Sequence, residues 1–165
     1  MAQSLAGSRI AILATDGVER SELREWLNAL AQEGAEIEIV APQGMEREAE
    51  GDDAEIDRTL DDVRAENYDA IVLPDGFADS DQLRIVETAA SFVRDFFDAK
   101  KPTAVVCPGP WTLIEAGADR AIEMMSWPSF KTDLRNVGAR WDDDAADVDR
   151  GIVGGPDDLP FFAGR

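Results

Sequence analysis

Apolar residues along the chain gather in short runs separated by helical stripes, and that alternation predicts a layered α/β fold. Arg9-Ile10-Ala11-Ile12-Leu13-Ala14-Thr15 is a largely apolar run closed by Asp16-Gly17, the pattern of a strand covered on both faces. After it Leu23, Trp26, Leu27 and Leu30 recur at helical spacing, Ala31 extends the stripe, and Gly34 marks the stop. Glu36-Ile37-Glu38-Ile39-Val40-Ala41 reads as a second strand closed by Pro42-Gln43-Gly44. Strand, helix and strand with short connections form a right-handed βαβ unit.

Residues 45–58 are polar and weakly patterned, so a loop is expected there, with a short edge strand at Ala54-Glu55-Ile56-Asp57. Leu60 and Val63 are placed to anchor one helical turn. Tyr68 to Pro74 forms a third buried run, ending in Asp75-Gly76-Phe77. A helix follows around Asp79–Leu83, then a longer one from about Ile85 to Ala99. The inner face of the longer helix takes Val86, Ala89, Ala90, Val93, Phe96 and Phe97. Lys101-Pro102 turns the chain into Ala104-Val105-Val106, another buried strand. The alternation predicts a doubly wound, mostly parallel central sheet with helices on both faces.

Beyond Gly117 the pattern is weaker. Ala121 to Met125 reads as a short strand, Pro128–Val137 as a helix, Asp147 to Val153 as a hairpin or edge strand pair, and Pro156 opens a last helix. The 165 residues suit one domain with a sizeable core, led in by a flexible segment at 1–8.

Charge changes the picture next. Asp and Glu number 35 against 16 Lys and Arg, a formal charge of −19. Such a surface repels phosphate backbones, which excludes nucleic-acid partners. No apolar run is long enough to span a bilayer and no signal peptide is evident, so no membrane association and a cytoplasmic location are expected. The acidic runs read as a solvated face, suited to a cytoplasm of high salt that screens their self-repulsion.

Candidate chemistry centres on one turn. The single cysteine, Cys107, follows a predicted strand and precedes Pro108-Gly109-Pro110-Trp111, where a helix is expected to begin. That strand-to-turn-to-helix geometry lifts a nucleophile out of a sheet. Asp16-Gly17 and Asp75-Gly76 also fall at carboxyl ends of predicted strands, where ligands of such sheets bind. One cysteine excludes an internal disulfide, and with no histidine in the chain a zinc site is not expected. No metal or cofactor is expected. Asp16, Asp75 and Glu22 could form a divalent-cation site, a lesser possibility that metal-dependent melting would expose. Ser21 and Ser129 read as helix caps, Trp26 as core, and Trp111 and Trp127 as pocket or interface residues.

Several stretches together resemble the ThiJ/PfpI family, especially its PfpI-type intracellular protease branch. They are Ala11 to Gly17 with Glu19 and Ser21-Glu22, Tyr68 to Pro74, Asp81 to Arg84, and Phe92 to Phe97. Cys107 with Gly109 to Leu113, Ser126 through Asn136, and Pro156 to Pro160 complete the set. The resemblance covers nearly the whole chain in order. It implies a flavodoxin-like three-layer sandwich, a homodimer or higher homo-oligomer, and a cysteine at the elbow. Family members are described as cysteine peptidases, deglycases or glyoxalases, chaperone-like proteins and oxidation sensors. The family glutamate that hydrogen-bonds the cysteine sulfur maps onto Glu22. Where peptidase-like members carry histidine after the cysteine, this chain has Pro108. The stretch Val153-Gly154-Gly155-Pro156 also lacks the arginine usual before Pro156-Asp157-Asp158-Leu159-Pro160.

These departures bear on mechanism. Cysteine hydrolysis needs a base for the thiol proton and an acid for the leaving group, and histidine serves both. Glu22 could act as base, but a carboxylate beside the sulfur disfavours the thiolate unless one of the two is protonated. Pro108 also removes the backbone N–H that normally helps bind the oxyanion. Losing one such donor typically costs about 3 kcal/mol. Gly76 could still offer a donor, while Asp75 adds negative charge. Peptidase activity is therefore not expected. A binding or homo-oligomeric protein with a small-molecule pocket at Cys107 is expected first, a Cys107- and Glu22-dependent hydrolase or deglycase second, and an oxidation-responsive protein third. Protonated Glu22 could stabilise an oxidised Cys107 by hydrogen bonding. Cys107 kept merely for packing is the plain alternative to a redox role.

Overall fold

In the computed structural model the described residues are 5–14, 20–43, 56–74, 86–105, 123–124, 140–141 and 152–153. The first apolar run forms β1 (Arg9–Leu13), followed by helix α1 (Arg20–Gln32) and β2 (Glu36–Ala41). The chain continues through β3 (Arg58–Thr59), two short 3₁₀ turns at Leu60–Asp62 and Ala65–Asn67, and β4 (Ala70–Leu73). Helix α2 (Glu87–Asp98) leads to β5 (Thr103–Val105). The distal strands are β6 (Glu123–Met124), β7 (Arg140–Trp141) and β8 (Ile152–Val153).

Six strands form one sheet in the order β3-β2-β1-β4-β5-β8, and its pairings are parallel. A separate parallel pair joins β6 and β7. Period-two alternation sends β1 to two cores. Ile10 and Ile12 pack with Leu23, Trp26 and Leu30 of α1, whereas Ala11 and Leu13 share a cluster with Tyr68 and with Phe92, Val93 and Phe96 of α2. Burial of each such large side chain contributes about 1.5–3 kcal/mol. This is the expected doubly wound sheet covered on both faces.

The two described helices end in the same way. Gly34 N–H donates to Ala31 O and Ala35 N–H to Leu30 O, with Gly34 at φ 83°. At the end of α2, Lys100 N–H donates to Phe97 O and Lys101 N–H to Phe96 O, with Lys100 at φ 55°. Each pair of bonds closes the last carbonyls through a left-handed residue, and only the first helix uses glycine there.

Four local expectations need correction. Ala31 is exposed, because it stands a full residue round from buried Leu30 and leaves the narrow stripe that α1 buries. Ser21 lies inside α1, which begins at Arg20, and is not its cap. The edge strand is Arg58–Thr59, pairing with Val40 and Ala41, and Ile56-Asp57 is not part of it. The cause is Asp57, whose carboxylate accepts the Ile39 N–H at 2.7 Å where a strand would present its carbonyl. Phe92, omitted from the inner face of α2, is buried, since α2 packs on the 60–68 stretch as well as on the sheet. Ala54-Glu55 and the helices expected at Asp79–Leu83, Pro128–Val137 and after Pro156 lie outside the described residues.

Candidate active site at the carboxyl edge of the sheet

Strand order locates the crevice. From β1 the chain builds outward through β2 and β3, then returns to the other side of β1 to lay down β4 and β5. The direction of growth therefore reverses between β1 and β4. Ligands of such sheets bind outside the carboxyl ends of the strands at that reversal.

Register sharpens the placement. Ile12 lies opposite Val72, and Leu73 opposite Val105. Along the sequence, Asp75 and Cys107 each come two residues after a member of that last pair. The helix that returns from β1 starts at Arg20, so Glu22 belongs to its first turn. Three chain segments carrying candidate residues thus depart from, or return to, one edge of three adjacent strands. Leu13, Ala14, Leu73 and Pro74 are buried at that edge, which gives the departing segments an apolar base.

Cys107, Asp75, Gly76, Pro108, Gly109, Trp111 and Trp127 lie outside the described residues, as do Asp16, Asp81 and Ser129. Glu22 is described in its backbone only. Among the described residues no group of three or more metal-ligating side chains occurs. Trp26, read as core, is fully buried against the α1 face of the sheet. The elbow therefore stands on its strand, seen in β5, and on its sequence.

A polar network that sequence reading missed lies toward the opposite edge. The Tyr68 hydroxyl donates to Glu38 Oε2 at 2.5 Å, while Arg9 stacks over the Tyr68 ring at 5.3 Å. Arg9 also reaches Glu38 at 3.4 Å, and Arg58 approaches it at 3.9 Å. Lys101 Nζ donates to Ala65 O at 2.9 Å and to Tyr68 O at 2.7 Å. Burial, together with the hydrogen bond to Glu38 and its charge, pushes the Tyr68 phenol well above its ordinary value. These partners stand between 20 and 59 residues apart in sequence, beyond the reach of any local pattern. A phenol that resists ionisation is a poor general acid and does not populate the phenolate that could serve as a base.

Comparison with known proteins agrees with this architecture. The DJ-1/PfpI family model matches residues 8–165. A deglycase of Pyrococcus horikoshii is 35% identical over 142 residues, covering 86% of this chain and 85% of the relative. General stress protein 18 of Bacillus subtilis is 32% identical over 162 residues, 94% of each chain. A two-domain Anabaena variabilis protein containing DJ-1/ThiJ/PfpI-like and ferritin-like domains superposes with a TM-score of 0.82 at 28% identity. That match covers 94% of this chain and 46% of the larger protein. The architecture is accordingly flavodoxin-like.

Proposed function

The chain belongs to the DJ-1/PfpI family, and from that premise we propose that it is a non-peptidase member with a small-molecule pocket around Cys107, working as a homodimer or higher homo-oligomer. One observation carries this reading: the chain contains no histidine. No fold of it, and no second copy, can then supply the imidazole that peptidase chemistry at a cysteine uses as base and acid. Pro108 supports the same conclusion, because it has no N–H to offer an oxyanion. The carboxyl ends of the parallel strands β1, β4 and β5 lie at one edge of the sheet, where ligands of such sheets bind, which supports a small-molecule pocket on that side.

The deglycase name of the Pyrococcus horikoshii relative favours a second reading. There the Cys107 sulfur adds to the carbonyl carbon of a small adduct, the C=O π bond opens onto its oxygen, and Glu22 takes the thiol proton and passes it to that oxygen. Intact-mass measurement after limited iodoacetamide or peroxide separates the outcomes, with Cys107→Ser alongside. The pocket reading predicts one addition to the native protein that vanishes in Cys107→Ser, without turnover of a methylglyoxal adduct. Turnover that vanishes in the variant would establish the second reading, and an inert native thiol would overturn both.

A further inference from the structure

We draw no further inference here: the strongest candidate, the cleft of about 700 Å³ between residues 60–66 and helix α2, is an open groove edged by exposed carboxylates, and nothing in the structure shows what covers it.

Discussion

At the amino ends of β1, β4 and β5 polar groups close on one another, whereas at the carboxyl ends of β1 and β4 the strands finish in buried apolar residues. Arg9 and Asp69 exchange bonds at the first edge, the Arg9 N–H to the carboxylate and the Asp69 N–H to the Arg9 carbonyl. Tyr68 is held by Glu38, and Lys101 clamps the carbonyls of residues 65 and 68. The second edge ends in Leu13-Ala14 and Leu73-Pro74, and its following segments carry Asp75, Cys107 and the lead into Glu22. One edge thus spends its polar groups on holding the chain together, and the other leaves them to the segments beyond. Substitutions at the first edge should change stability with the chemistry of Cys107 intact, and substitutions beyond the second should do the reverse.

The most severe way to break the first edge is to remove the ring beneath it. Phe96 is fully buried, lies 5.1 Å from Phe92 between ring centroids, and has Lys101 Nζ 5.7 Å from its own. Phe96→Ala should cost about 3–5 kcal/mol, read from urea unfolding midpoints. Lys101→Met keeps most of the stem but leaves the carbonyls of Ala65 and Tyr68 without their donor. A loss of about 2 kcal/mol is expected in the same assay, with iodoacetamide labelling of the folded protein unchanged.

Alkaline pH offers a subtler probe. The Tyr68 phenol in the folded chain ionises above its ordinary value, so the folded state holds its proton after the unfolded state has released it. Its contribution is complete below about pH 10 and falls as pH rises beyond that point. Tyr68→Phe should be less stable at neutral pH yet flatten this alkaline decline. A decline of equal slope in wild type and variant would remove Tyr68 from the account. The smallest effect is expected at Lys100, whose positive φ suits glycine. Lys100→Gly should raise stability by about 0.5–1 kcal/mol, whereas Gly34→Ala, at the matching position of α1, should lower it by a similar amount.

The same contrast explains what the sequence disclosed. Strand β2 was legible to its end residues because Pro42 stops it, and α1 because Leu23, Trp26 and Leu30 leave one stripe. The mostly parallel sheet, and hence the carboxyl strand ends that Asp75 and Cys107 follow, was legible from alternating runs and stripes; the adjacency of β1, β4 and β5 came only with the strand order. The amino-edge network was not. Glu38, Tyr68 and Lys101 are paired by topology and carry no spacing signal. Phe92 escaped because the 60–68 stretch covers a second side of α2, and Asp57 displaced the edge strand by lending its side chain to the ladder. For the candidate site, the chain's lack of histidine and the proline after Cys107 were visible at once, since absence of a residue type needs no fold to be read.

The central claim is that the carboxyl edge keeps its cysteine without the machinery of a peptidase. Hydrolysis of a peptide panel by equally folded wild type and Cys107→Ser tests it most directly. The account predicts no difference between them, both at the buffer rate. Wild-type hydrolysis that disappears in Cys107→Ser would contradict it.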